Sequence, residues 1–250
     1  MTSKTRRGVI VTGGGTGIGR ALAHGYAEEH EVLVVGRTES ALRETAEGHE
    51  HIHVLAADIT DPGSADLVVK TAQRALGRID VLINNAATAA PAPLADIERG
   101  SAEAEVAVNL LAPLFLTQAA LDALAETRGT VLNMSSSGAS GGRAWPGFSV
   151  YGATKVALEF LTRTWSIELA PRGIRVVAIA AGVVESGMGV RMGSTPEQYR
   201  AFLTDIASRT PAGRVGKPAE ITWWARQLTA QEAEYATGSV VVVDGGLSLL

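Results

Sequence analysis

Seven short runs of aliphatic, mostly β-branched residues punctuate this chain, and helix-length amphipathic stretches lie between them. The runs are Val9–Thr12, Val32–Val35, His51–Ala56, Val81–Ile83, Val131–Met134, Ile174–Ile179 and Val240–Val243. A strand covered on both faces reads as a continuous apolar run, whereas a strand with one wet face alternates. Between the runs, Ile18–Glu29 carries Ile18, Ala21, Leu22 and Tyr26 at helical spacing. Thr60-Asp61-Pro62 offers a capping residue ahead of a proline suited to a first helical turn. Strand and helix alternating over the whole length predict an α/β fold: a doubly wound, seven-stranded parallel sheet with helices on both faces.

A length of 250 residues suits one such domain, and no linker, repeat or composition shift divides it. Residues 1–7 read as a flexible leader. Residues 183–214 read as a stretch too polar and glycine-rich for the sheet core. With 46% hydrophobic and 19% charged residues the chain is not disordered, and zero Cys excludes disulfides and thiolate chemistry. A net charge of −4 supplies no field for nucleic acid or an anionic membrane. Lys4, Arg6 and Arg7 read as a solvated terminus, and the leader lacks the apolar centre of a signal peptide. No apolar run approaches eighteen residues, so no membrane span is expected and the cytoplasm is the expected location.

Glycine is over-represented, at 28 of 250 residues. The first strand runs into Thr12-Gly13-Gly14-Gly15-Thr16-Gly17-Ile18-Gly19 and a helix begins at once. Glycines there let a pyrophosphate approach peptide N–H groups, and the helix N-terminus adds partial positive charge. Arg20 stands where a G-x-G-x-x-G motif would need its last glycine, so the matching spacing is T-G-x-x-x-G-x-G through Gly13, Gly17 and Gly19. No G-K-[ST] follows, which excludes a Walker loop and favours a dinucleotide. The second strand ends at Gly36-Arg37 where an acidic residue would grip a ribose 2′-hydroxyl. A guanidinium there favours NADP, while Glu39 keeps NAD open.

Tyr151 and Lys155 are four apart in a stretch of helical spacing and share a face. An ammonium beside a phenol lowers its pKa and makes it a usable acid or base, although the pair alone is a common surface pattern. Ser135-Ser136-Ser137 lies at a strand's carboxyl end, where ligands bind in such sheets. Gly138-Ala139-Ser140-Gly141-Gly142 matches the G-x-S-x-G of a hydrolase, whose histidine must follow the serine. His24, His30, His49, His51 and His53 all precede it, so that reading fails. His49, His51 and His53 alternate, but no Cys or clustered carboxylate joins them, and no metal site is expected.

Together these residues resemble the short-chain dehydrogenase/reductase family, in its short single-domain form with a Rossmann fold, over essentially the whole chain. The glycine turn TGxxxGxG is matched by Thr12, Gly13, Gly17 and Gly19. The resemblance implies cofactor contacts from Gly13, Gly15, Thr16, Gly17, Ile18, Gly19, Arg37 and Thr38. It adds Asp58 and Ile59 near the adenine, and Asn85, Ala86 and Ala87 of the segment where the family has N-N-A-G. It adds Gly182, Val184 and Ser186 after strand six, where Ala181 replaces the family's proline, a loss expected to loosen the turn. The implied catalytic residues are Asn109, Ser136, Tyr151 and Lys155. Strand register favours Ser136, while the family's usual serine–tyrosine spacing would fall on Gly138, and Ser137 stays a competitor.

The implied activity is hydride transfer between NADP (or NAD) and a small carbonyl or alcohol substrate. A silent dinucleotide-binding regulator and a dehydratase or epimerase on the same fold are the alternatives. Tyr151 would move the proton, Lys155 would lower its pKa and hold the nicotinamide ribose, Ser136 would bind the substrate oxygen, and Asn109 would hold a water. Met188, Met192, Tyr199 and Phe202 of the expected lid, with Trp145 and Phe148, are pocket candidates. The resemblance also implies a homo-oligomer, dimer or tetramer, formed through helices at Ala104–Ala125 and Ser149–Ala170, the last strand and the apolar end Leu247-Ser248-Leu249-Leu250.

Overall fold

The computed structural model describes residues 6–140 and 144–250. Lys4 of the leader, and Gly141 and Gly142 of the serine-rich loop, lie outside the described residues. Seven strands form one sheet: β1 (Gly8–Thr12), β2 (Glu31–Gly36), β3 (Ile52–Ala56), β4 (Val81–Asn84), β5 (Thr130–Ser136), β6 (Arg175–Ala181) and β7 (Val240–Val243). Their order is β3-β2-β1-β4-β5-β6-β7 and every pairing is parallel. The strand order reverses direction between β1 and β4, and a crevice opens at the carboxyl ends of strands on either side of such a switch point.

The helices are α1 (Gly17–Ala27), α2 (Glu39–Ala46), α3 (Ser64–Leu76), α4 (Arg99–Val106), α5 (Ala112–Thr127), α6 (Ser149–Glu168), α7 (Met188–Arg191), α8 (Pro196–Arg209) and α9 (Pro218–Thr229). Alternate strand residues feed two cores. Val9, Val11, Val32, Val34, Val81 and Ile83 pack with Leu22 and Tyr26 of α1 and Ile221 and Ala225 of α9. Ile10, Leu33, Val35 and Leu82 pack on the other face with Val68 and Ala72 of α3 and Leu116 and Leu124 of α5. Both faces being dry explains why the strands read as unbroken apolar runs.

Several expectations shift. Ala181 is not a loose turn residue: it extends β6, in register with Ser136 on one side and Val243 on the other, because alanine keeps the backbone freedom that proline lacks. Thr60 and Pro62 do not open a helix; α3 begins at Ser64 behind Gly63, while Thr60 donates its N–H and hydroxyl to the Asp58 carboxylate. Residues 183–214 are not irregular, since they contain α7 and α8. The Thr195 hydroxyl accepts from Gln198 N–H and the Gln198 side chain accepts from Thr195 N–H, a capping box ahead of Pro196.

Among the described residues one helix, Arg99–Thr127, is long and apolar enough to cross a membrane by length and composition alone. It joins α4 and α5 through a π turn at Ala107–Leu111, and its Leu116, Ala120, Ala123 and Leu124 pack on the sheet.

The ends of β1 and β4 are clasped by one buried hydroxyl. Thr12 Oγ1 accepts from Asn85 N–H and Ala86 N–H at 3.0 Å each and donates to Ile83 O at 3.3 Å. Asn85 Nδ2 returns a bond to Thr12 O at 2.8 Å. Replacing the hydroxyl with a methyl in Thr12→Val keeps the volume but strands two amides. Urea unfolding should show a loss of about 2 kcal/mol; an unchanged midpoint would remove Thr12 as the clasp.

Candidate active site

The glycine turn bends where left-handed backbone is required. Gly17 has φ 53°, and a Cβ there would lie 2.8 Å from Ser186 O. At Gly19 a Cβ would come within 2.1 Å of Gly13 O, so helix α1 can close on the turn only with glycine at that position. Thr16 caps α1 without a side-chain hydrogen bond, so its own side chain does not occupy the N-terminal amides. Those amides at the switch point are a fit for the phosphates of a dinucleotide. Arg20, whose presence broke the simpler glycine motif, braces the turn from behind by donating to Gly15 O, Ala41 O, Thr45 Oγ1 and Glu44 Oε2.

The other expected cofactor residues converge on the same edge. Gly36 ends β2; the Arg37 side chain beyond it is 76% exposed, with its guanidinium 4.0 Å from the Asp58 carboxylate. Hydrogen bonds from Thr60 N–H and hydroxyl hold the Asp58 carboxyl below the usual range. Thr38 caps α2, and Asn85, Ala86 and Ala87 follow β4 beside Gly13. Gly182 follows β6 and packs on Asp244; Val184 bridges to Gly216 and Ser186 N–H donates to Val184 O. Arg191 was not anticipated. Its Nη1 donates to Ser186 O at 3.0 Å and its Nη2 lies 3.3 Å from where a Gly17 Cβ would be, so α7 sets a cation beside the glycine turn. Its spacing carries no signal, because only the fold of 183–214 brings it back to α1.

Deeper in, α6 runs along β5 and sets Tyr151 and Lys155 on one face. Ser136, the last residue of β5, lies near enough to Tyr151 for its hydroxyl to pull the phenol's pKa down, and Ser137 acts in the same way on the Asp244 carboxyl, whereas Ser135 donates to Glu159 Oε1 at 2.8 Å. The two serines that the sequence left in competition, Ser136 and Ser137, thus act on different groups. Ser140 donates to Glu159 at 2.6 Å and to Ser136 O, and neither partner is a histidine. His51 and His53 share Glu31 at 2.9 and 3.0 Å, and His49 stacks on His24; among the described residues no three such groups are arranged for a metal.

Asn109 sits in the π turn, where its Oδ1 accepts from Thr88 N–H at 2.9 Å and its Nδ2 donates to Thr88 O and Thr154 Oγ1. Its amide is engaged with protein at both ends. It therefore fixes the segment after β4 and α6 to one another, where a water-holding amide was expected.

The electrostatics differ from the simple expectation. Desolvation pushes the Tyr151 phenol up to about 12; the Ser136 hydrogen bond opposes this and the nearby Glu105 charge adds to it. Lys155 does not lower the phenol here. Its ammonium is buried, donates to Met134 O at 2.8 Å and lies 5.6 Å from the tyrosine ring centroid. Desolvation brings Lys155 itself down to about 8. A cavity of about 380 Å³ opens beside Tyr151, with Phe148, Ala89, Ala90, Glu105 and Met192 in its wall. Trp145 stacks behind Phe148 at 4.5 Å, while Tyr199 accepts from Gly187 N–H inside the 183–214 segment. Met188 and Phe202 are not among the wall residues.

A family model described as enoyl-(acyl carrier protein) reductase matches residues 13–248. The 3-oxoacyl-[acyl-carrier-protein] reductase FabG of Thermotoga maritima is 33% identical, over 95% of this chain and 96% of its own. The structure superimposes on a short-chain dehydrogenase/reductase of unknown function from Caenorhabditis elegans with cofactor. That match has a TM-score of 0.92 and 32% identity, covering 98% of this chain and 96% of the other. This chain belongs to the short-chain dehydrogenase/reductase family. As a family member it is an NAD(P)-dependent dehydrogenase/reductase. The 3-ketoacyl-(acyl-carrier-protein) reductase of Brucella melitensis, complexed with NADH, matches with TM-score 0.87 and 28% identity over 97% and 98% of the two chains.

The buried lysine makes a pH prediction for the protein without cofactor. A lysine whose folded pKa lies below its unfolded value binds fewer protons folded than unfolded between the two. Stability then rises with pH from about 8 toward the ordinary lysine value, by about 1.4 kcal/mol per pH unit. Tyr151 acts oppositely above pH 10, because it keeps a proton that the unfolded chain has lost. Urea unfolding between pH 7 and 9.5 should show the rise in the wild type and its absence in Lys155→Met.

Proposed function

We propose that this protein moves a hydride between NADP and a small carbonyl/alcohol pair, using Tyr151, Ser136, Lys155 and Asn109. The observation that carries this reading is the Tyr151 phenol at the wall of the cavity, with Ser136 at the end of β5 acting on it from behind the wall. A carbonyl oxygen received there meets the Tyr151 hydroxyl. Tyr151 donates its proton to the oxygen as it becomes an alkoxide, and takes one from the alcohol in reverse. Ser136 hydrogen-bonds the same oxygen and stabilises the charge that grows on it. Lys155 would hold the nicotinamide ribose, and Asn109 keeps α6 and the segment after β4 in register.

When bound, the nicotinamide cofactor accepts or supplies the hydride. Gly13, Gly15, Thr16, Gly17, Ile18 and Gly19 would hold its phosphates, with Arg191 as an added cation. Asp58 and Ile59 would flank the adenine; Asn85, Ala86, Ala87, Gly182, Val184 and Ser186 would line the rest. Arg37 and Thr38 would take the 2′-phosphate, since the guanidinium is exposed and no acidic residue ends β2.

The chain acts as one catalytic domain, with residues 183–214 as the substrate lid, and works in the cytoplasm. It assembles as a dimer or tetramer: Phe115 on α5, Phe160 and Ile167 on α6 and Leu249 at the end are large apolar side chains more than half exposed.

Tyr151→Phe should lower kcat by a thousandfold or more while NADPH affinity, read by fluorescence titration, changes less than threefold. Retained turnover would overturn the mechanism. Arg37→Ala should weaken NADPH at least tenfold and leave NADH nearly unchanged, and equal losses for both would refute the NADP assignment.

A further inference from the structure

Glu105 is a buried carboxylate that the mechanism above does not use. It lies on α4, one turn before Asn109, and is 2% exposed. Its Oε1 accepts from Ala90 N–H at 2.8 Å, and among the described residues its Oε2 has no partner of any kind. Among the described residues no lysine or arginine forms an ion pair with it. A buried acceptor left unmatched costs about 1–3 kcal/mol, more if charged, so a chain keeps one only where something else repays it. Desolvation pushes its carboxyl above the usual range, and Tyr151 feels its charge.

The surroundings narrow what could pair with it. Glu105 shares a cavity wall with Tyr151, and so do Asp96 and Glu98; no basic side chain is among the described wall residues. Beyond these the wall is largely alanine, Phe148 and Met192. The cavity therefore has the Tyr151 hydroxyl at one pole, which suits a carbonyl oxygen, and the Glu105 carboxyl just beneath its wall at another, which suits a donor that reaches it. An anionic substrate group would meet three acids and no cation.

We propose that Glu105 is a specificity-determining residue that selects carbonyl and alcohol substrates carrying a hydrogen-bond-donating group, an ammonium ahead of a hydroxyl. The inference rests on the placement of the substrate carbonyl at Tyr151 proposed above. A plain hydrocarbon ketone would leave Oε2 unpartnered beneath it, whereas an amino ketone would fill the cavity and neutralise the carboxylate at once. A site that leaves a buried polar group unpaired with the wrong substrate discriminates far more strongly than one that loses a methylene.

The test uses size-matched rings at neutral pH. Binding of piperidin-4-ol, which carries an ammonium, and of cyclohexanol is measured by calorimetry on the NADP-saturated wild type, Glu105→Gln and Glu105→Met. Reduction of 4-piperidone, 4-hydroxycyclohexanone and cyclohexanone is followed in parallel by NADPH absorbance. Glu105→Gln keeps an acceptor for Ala90 N–H, so a loss specific to that variant is not a loss of folding.

The wild type should bind piperidin-4-ol at least tenfold more tightly than cyclohexanol, with the same order in kcat/KM for the ketones. The ratio should fall at least tenfold in Glu105→Gln and reverse in Glu105→Met. Equal binding of the two alcohols by the wild type, or a preference that survives in both variants, overturns the proposal. Discrimination in binding with no reduction of any ketone would instead count against the Tyr151 reaction and leave the role of Glu105 standing.

Discussion

Every residue of β1, β4 and β5 is buried, and that single constraint arranges the rest of the molecule. A sheet sealed on both faces can hold polar groups inside only if each finds a partner. Asn84 Nδ2, Asn133, Thr117 and Thr162 do so as a chain of side-chain bonds spanning β4, β5, α5 and α6, and among the described residues only Asn84 Oδ1 of that chain is left without a partner. Chemistry that must meet a ligand is left with the strand ends. At the carboxyl edge, where β1 and β4 part, the Thr12 hydroxyl holds one wall of the crevice to the other, and the glycine turn and the segment after β4 become a single surface. The fold thus delivers a rigid cradle and a cavity side by side without any polar group having to cross the core.

The same sealing sets the electrostatics of the site. Lys155 and Tyr151 lie where desolvation outweighs their neighbours, so each is held toward its neutral form until something charged or polar joins them. Burial here works against the lysine's usual effect on a nearby phenol. In the protein alone the site is poised, with the proton on tyrosine and the ammonium leaning on Met134 O. A ligand able to offer new hydrogen bonds would change that balance more than any surface mutation could.

Much of this was legible in the residues. The strand pattern was readable because parallel strands with two dry faces have no alternation to obscure, and the glycine turn was readable because steric demands at Gly17 and Gly19 admit nothing else. The choice between Ser136 and Ser137 was not, since adjacent strand residues point to opposite faces and the strand's end could not be located to one residue. The helices in 183–214 were missed because polar composition hid them, although Thr195-Pro196-Glu197-Gln198 carries a capping box and an N-terminal proline. Glu105 was missed for a different reason: an acid on an amphipathic helix ordinarily faces water, and nothing local announces that this one does not. Arg191 reaches the glycine turn only through tertiary folding.

The π turn at Ala107–Leu111 gives this architecture a simple evolutionary handle. Such a turn holds one residue more than the helix around it needs. Removing that residue would restore a continuous α-helix and rotate everything N-terminal to it by about 100° relative to α5. The core contacts of Leu116, Ala120 and Leu124 lie beyond the turn and would stay in place, while Glu105 would swing off the cavity wall. A single-codon deletion could then redraw the substrate pocket and leave the sheet untouched, so that descendants of this chain could diverge in what they accept long before they diverge in how they fold.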